Sequence, residues 1–368
     1  MAIISINKYL QPYITLCADT KKNREDKISM SIWRLVAVYV FGIFACGANL
    51  VYSFDADTAK IIQTYRTKDL QQTGALLENY LQKRDFWLYV LQNRQVDYGY
   101  FEGYEYLFVS DKSAPSLTLY KIAQNGTLTL VRQVSALVGK GRGDKRVSGD
   151  LTTPIGVYDF TGKLTGLPPY YGPLAYATDY PNNYDKSLKK TGYGIWIHGL
   201  PLDGNREELN TKGCIAIDND VLSGFGKLVD YKAALLISYE QNIHKPTKEE
   251  IATLLAQLYK WRSAWIQNDL KTYLMFYSKD FSRPDGMQYK AFADYKRQIF
   301  DKGEDKIISF SEISVVPYPN EEHRQMFRIS FNQNYRAFKN SKPSYTSNSR
   351  KILYVVYEKD SMQILSER

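Results

Sequence analysis

Two short apolar runs on either side of a polar loop constrain this chain more than any other feature. Gly194-Ile-Trp-Ile-His198 ends in a histidine, and Cys214-Ile-Ala-Ile217 begins with a cysteine. Runs of this length and apolar content read as buried strands. Two such strand ends joined by a polar loop can be neighbours in space, which would bring the imidazole of His198 to the thiol of Cys214. A thiol attacks only as its thiolate, and a nearby imidazole is the usual group that makes one near neutral pH. The competing reading is a buried thiol acting as a small hydrophobe beside an unrelated strand-end histidine.

The N-terminus bears on that choice. Leu35–Val51 carries no charge, with Arg34 before it and Asp55 and Asp57 after it. A basic flank, an apolar centre and small residues near the end are the signature of an export signal, or of a short membrane anchor. Residues 1–56 are therefore read as a leader. Met30-Ser-Ile-Trp-Arg34 makes a compact alternative start, and Ile43-Phe-Ala-Cys46 is a poor lipoprotein signal because Phe44 is bulky. The working part of the chain is expected outside the cytoplasm, in the periplasm. Of the three cysteines, Cys17 and Cys46 precede or lie within the signal, so the exported part holds only Cys214. It cannot form an internal disulfide, and a lone thiol in an oxidising compartment is an oxidation risk that points to a reactive role.

The 368 residues have the apolar and charged content of an ordinary globular protein and room for two or three domains. A net charge of +9 suits nucleic acid, anionic membrane or acidic wall polymer equally. No dense basic run or nucleic-acid motif is present, so no nucleic-acid partner is expected. Residues 57–103 read as helix, with Leu70, Leu77, Tyr80, Leu81 and Leu88 on one face. That face suits a homodimer contact or packing on the next domain. From Tyr104 the texture becomes short β-type runs, with Asn125-Gly126 marking a hairpin. Val138–Lys145 (VGKGRGDK) lacks the Gly-Lys-Ser/Thr ending and the following helix of a phosphate loop. Asp218 offers an N-cap for a helix through Val229.

After Pro246, Thr247-Lys-Glu-Glu250 is a capping-box start for a helix carrying Trp261 and Trp265. An interrupted helical run is expected around Lys290–Phe300. Strands follow at Lys306–Val316, Met326–Phe331 and Lys351–Tyr357, with Ser341–Ser349 as a flexible hairpin loop. Helices followed by strands make an α+β module. Tyr273, Phe276, Tyr277 and Phe281 read as its core or as the lining of a ligand cavity. His244 and His323 read as surface residues, and no cluster has metal-ligand spacing, so neither metal nor cofactor is expected.

Thr153-Pro154-x-Gly156-x-Tyr158, His198-Gly199 and Thr211-x-Gly213-Cys214-Ile215 with Asn219 together resemble the L,D-transpeptidase catalytic domain of YkuD type. The resemblance covers roughly residues 104–240. Tyr180-Pro181-Asn182 and Gly194-Ile-Trp-Ile-His198-Gly, with the N-terminal segment and the Trp261-x-x-x-Trp265 helix, resemble the cell-shape-determining L,D-carboxypeptidases of helical Gram-negative bacteria. The resemblance implies an α+β chain: a helical segment at 57–103, a mixed-sheet catalytic domain at 104–243, and a nuclear-transport-factor-like cone at 244–368.

It further implies peptidoglycan stem peptides as substrate and a thioester at Cys214, with His198 as base and the Gly199 carbonyl orienting the imidazole. The N–H groups of Gly213 and Cys214 would hold the oxyanion. Thr211, Lys212, Tyr180, Asn182 and Trp196 would contact substrate, and the cone would take a glycan or protein ligand. Members commonly have His at the position of Lys212 and Arg at that of Ala216. Loss of the Arg favours water as acceptor, hence a carboxypeptidase that removes terminal D-alanine from tetrapeptides. The alternatives are a transpeptidase or hydrolase acting on cross-links or protein–wall links, and a non-catalytic wall-binding protein.

Overall fold

The computed structural model describes residues 56–204 and 210–368. The leader expectations, including Leu35–Val51, Met30 and Cys46, fall outside the described residues. The architecture below is that of the unit spanning residues 61–368.

After a short first strand, β1 (Tyr100–Phe101), eight strands build the central sheet. They are β2 (Tyr106–Asp111), β3 (Ser116–Ile122), β4 (Leu128–Ser135), β5 (Gly156–Leu164), β6 (Ala175–Thr178), β7 (Trp196–His198), β8 (Ile215–Ala216) and β9 (Ala234–Tyr239). Their order across the sheet is β4-β3-β2-β9-β5-β6-β7-β8. The β3–β4 hairpin turns at Asn125-Gly126, where Gly126 has φ +80° and Asn125 Oδ1 accepts from Thr127 N at 3.0 Å. A bulge between Phe160 and Gly162 lets β5 pair with β9 at one end and with β6 at the other, so the sheet bends there.

Strands β2 and β9 are apolar at nearly every position because both faces of the sheet are covered. Tyr106, Phe108, Ala234 and Leu236 enter a core with β6–β8 and α5 (Asn219–Leu228). The alternate residues Leu107, Val109, Leu235 and Ile237 enter a second core with Val316, Met326, Ile352, Tyr354 and Val356 of the C-terminal sheet. Period-two alternation thus divides one strand between two cores.

In the C-terminal sheet β1 is followed by β10 (Asp305–Pro317), β11 (Met326–Lys339), β12 (Lys342–Glu358) and β13 (Ser361–Glu367). Its other face holds α6 (Lys248–Ile266), opened by the Thr247/Glu250 capping box, with α7 (Leu270–Met275) and α8 (Tyr289–Phe300). Tyr273, Tyr277 and Phe281 fill this core, with Phe276 packed at its edge. Asp159 on β5 joins Tyr104 and the fully buried Arg328 in a hydrogen-bonded ion pair that ties the two sheets together.

Three expectations change. Tyr289–Phe300 is an unbroken helix. Ser341–Ser349 lies in the β11–β12 hairpin, because Asn340 (φ 50°) and Ser341 (φ 62°) make a two-residue turn that continues a polar, exposed ribbon. The helices at the start of the chain, α1 (Ala56–Thr67), α2 (Leu70–Leu81) and α3 (Arg84–Leu91), precede the β domain in sequence, yet α2 and α3 pack on the C-terminal module instead. Trp87 of α3 stacks on Tyr259 of α6 at 5.5 Å, Glu78 of α2 pairs with Arg262, and β1 joins the cone's sheet.

Candidate active site

β7 and β8 are parallel neighbours, with Ile197 opposite Ile215 and His198 opposite Ala216. Parallel pairing requires a long crossover, and the polar loop between His198 and Cys214 supplies it. Cys214 therefore stands at the entrance to β8, half-buried, while His198 ends β7 with 1% exposure. Both line one cleft of about 790 Å³.

The turn that presents Cys214 is built by two residues. The buried Thr211 hydroxyl donates to Cys214 O at 2.6 Å and accepts from Gly213 N at 3.1 Å. Gly213 has φ +126°, and a Cβ there would lie 2.8 Å from Thr152 O, so both backbone conformation and space require glycine. The Gly213 N–H expected to face an oxyanion is instead engaged by Thr211. The Cys214 thiol lies 3.3 Å from Gly194 O.

His198 is held from every side. Its Nδ1 lies 2.6 Å from Gly199 O, so that nitrogen carries the proton toward the carbonyl and Nε2 is left as a base. Gly199 N donates to Tyr171 O at 2.9 Å, Leu200 N to Asn219 Oδ1 at 2.9 Å, and Ile217 N to His198 O at 3.0 Å. The Tyr171 ring meets the imidazole edge-on at 5.2 Å. An oriented imidazole and a half-buried thiol in one cleft is the arrangement that thioester chemistry requires.

The cleft rim, residues 145–152, is organised by Asp150. Its carboxylate accepts from Lys145 Nζ at 2.6 Å and from the N–H groups of Arg146, Val147 and Thr152 at 2.8, 3.0 and 3.1 Å. Burial would raise this carboxyl, but the Lys145 ammonium and those N–H donors outweigh it and hold it down at about 2. Thr153 Oγ1 accepts from Gly139 N at 2.8 Å, which fixes the strip from which Val138 O receives Thr211 N. The Thr-Pro-x-Gly motif is thus the bed beneath the cysteine turn.

Of the residues expected at substrate, Thr211 and Lys212 line the cleft, and Tyr180, Asn182 and Trp196 do not. Tyr180 is buried and donates to Thr191 O at 3.1 Å, supporting the cleft wall from behind. Asn182 is buried, caps α4 (Asn183–Ser187), and donates to Val157 O and Tyr318 Oη, each at 3.1 Å. Trp196 packs on Tyr171 at 5.1 Å. Tyr180 and Asn182 are turned inward and Trp196 is half-exposed, and none of the three lines the cleft. The VGKGRGDK segment leads into β5 with no helix following it. His244 pairs with Glu250 at the surface, His323 is exposed, and no metal-ligand cluster occurs among the described residues.

Residues 105–233 match the L,D-transpeptidase catalytic domain (YkuD), and residues 253–368 match the Cds6 C-terminal NTF2-like domain. The helical cell shape determining protein Pgp2 from Campylobacter jejuni is 39% identical with a TM-score of 0.72, over 78% of this chain and 99% of that chain. The chain belongs to the L,D-transpeptidase family. A mutant form of Pgp2 is similar at 38% identity and a TM-score of 0.73, over the same shares of the two chains. Bd1075 from Bdellovibrio bacteriovorus shares the fold at 23% identity and a TM-score of 0.57, over 75% of this chain and 96% of that chain. No curated protein matches this chain.

This L,D-transpeptidase domain is an enzyme domain of the L,D-peptidase class, and its cleft holds residues that sequence reasoning passed over. Tyr170 and Tyr171 form a 3₁₀ turn beside His198, and Lys145 and Tyr193 complete the walls. The Pro168-Pro169-Tyr170-Tyr171-Gly172 run was the available signal, because two prolines stiffen the backbone immediately before two amphipathic aromatics.

Proposed function

We propose that this protein is an exported, cysteine-dependent L,D-carboxypeptidase that removes terminal D-alanine from peptidoglycan tetrapeptides and thereby contributes to cell shape. The observation that carries this reading is the shared cleft, in which His198, oriented through Nδ1 by Gly199 O, and Cys214 stand together. His198 Nε2 takes the thiol proton, and Cys214 Sγ attacks the carbonyl at the L-centre of meso-diaminopimelate. The C–N bond breaks, the imidazolium protonates the leaving amine of D-alanine, and a thioester remains. Water, deprotonated by the same imidazole, hydrolyses the thioester and regenerates the thiol. In this reading the Cys214 N–H meets the oxyanion, Gly213 joins it only on leaving Thr211, and Lys212 contacts a substrate carboxylate.

A periplasmic location agrees with Cys214 being the one cysteine among the described residues. Exposed Tyr65, Leu70 and Leu77 support a homodimer through the N-terminal helices. A recess of about 350 Å³ in which Arg283, Lys296 and Lys351 are paired with Asp285 and Glu367 supports a polar glycan or protein ligand on the cone.

Digestion of purified sacculi followed by muropeptide separation tests the function. Tetrapeptide should fall and tripeptide rise, and Cys214→Ala should lower D-alanine release by at least about 10³-fold. New 3–3 cross-links or released wall-linked protein would assign the transpeptidase or cross-link reading instead. An unchanged muropeptide profile would assign a wall-binding role.

A further inference from the structure

We propose that Lys212 reads the free α-carboxylate of the residue being expelled and so restricts this enzyme to chain ends. This inference rests on the carboxypeptidase reading above and adds which substrate group the enzyme requires.

The charges on the described residues lining the cleft are unbalanced. Its walls carry two ammonium groups, Lys145 and Lys212, and no carboxylate among the described lining residues. Lys145 is committed: its buried side chain donates to Asp150 at 2.6 Å and to Val147 O at 3.1 Å. Lys212 is exposed and has no hydrogen-bonding or ion-pair partner among the described residues. An ammonium in a concave site with no such partner among the described residues is suited to receive an anionic group.

Its position limits which anions it can reach. Lys212 lies within the turn that presents Cys214, between Thr211, bonded to Cys214 O, and Gly213, packed against Thr152. The main chain of Lys212 is therefore fixed relative to the nucleophile, while its flexible stem sweeps the cleft beside the attacked carbonyl. In a tetrapeptide, the α-carboxylate of the terminal D-alanine lies one residue, roughly 3.5 Å, beyond that carbonyl. In a cross-linked stem the same carboxyl is consumed in an amide and carries no charge. A reader at Lys212 thus favours trimming of free tetrapeptide ends and leaves cross-links intact. It acts on the leaving group and is indifferent to the acyl acceptor.

The test compares disaccharide-tetrapeptide with the same molecule bearing a D-alanine carboxamide. Both are assayed with wild type, Lys212→Ala and Lys212→Arg, with circular dichroism as a check on folding. Wild type should favour the free acid by roughly 10- to 100-fold in kcat/KM, the worth of one charge-assisted hydrogen bond. Lys212→Ala should lose that preference by slowing only the acid, and Lys212→Arg should keep most of it. Equal slowing of acid and amide by Lys212→Ala would overturn the proposal, as would a wild type that cleaves both equally well. A wild type that releases no D-alanine from the acid would instead remove the carboxypeptidase reading, and this inference with it.

Discussion

Gly199→Ala is the sharpest probe of how the imidazole is held. The Gly199 Cα sits in a crevice between the 3₁₀ turn and α5. A Cβ there would lie 2.9 Å from Pro173 Cδ, 3.0 Å from Gly172 Cα and closer still to Asn219 Oδ1. The Asn219 amide can turn away only by giving up Leu200 N, a loss of about 1 kcal/mol. Pro173 and Gly172 cannot withdraw without carrying Tyr171, whose carbonyl receives Gly199 N. The methyl therefore drives the 199 peptide outward, at an overpacking cost of about 1–3 kcal/mol. Gly199 O is the group that orients His198 Nδ1, so the imidazole should lose its alignment, and a displacement near 1 Å costs about 10²-fold in rate. The assay pairs urea denaturation with kcat/KM for D-alanine release. The double variant Gly199→Ala/Asn219→Ala should recover part of both losses, because it removes the nearest clashing atom. A Gly199→Ala protein with wild-type midpoint and rate would refute the argument, and a double variant no better than the sum of the singles would acquit Asn219.

Thr211→Val keeps the shape of the side chain but orphans Cys214 O and Gly213 N. It should cost about 2–4 kcal/mol in urea denaturation and lower kcat, whereas Thr211→Ser should cost under about 1.5 kcal/mol; equal costs for the two would deny the hydroxyl its role. Ending the chain after Ile243 uncovers Leu107, Val109, Val157, Leu235 and Ile237, each worth about 1.5–3 kcal/mol of burial, so the shortened protein should bind a hydrophobic dye and show no cooperative melt. A sharp thermal transition from that protein would show that the catalytic sheet does not need its second cover.

The site was legible because its chemistry is local. His198 ends one short apolar strand and Cys214 immediately precedes another. The strands are parallel neighbours so short that the start of β8 lies only about two residues along from the end of β7, and both side chains line one cleft. Asp218 and Thr247 announced their helices because an N-cap is satisfied by N–H groups only two or three residues away. Tyr180, Asn182 and Trp196 were legible as part of the site but not in direction, since a motif fixes residue type without saying which way a side chain faces.

Residue pattern alone determined that short β-type strands begin near Tyr104, that a glycine precedes Cys214, and that a helix-then-strand module follows Pro246. Only the tertiary structure decided what covers the second face of β2 and β9. A run apolar at every position demands two covers and names neither, so the pairing of Leu107 and Leu235 with the C-terminal sheet could emerge only from packing. Packing likewise turned Thr211 into the lock on Gly213 N–H, sent the N-terminal helices to α6, and left Lys212 facing an open cleft with no carboxylate beside it among the described residues.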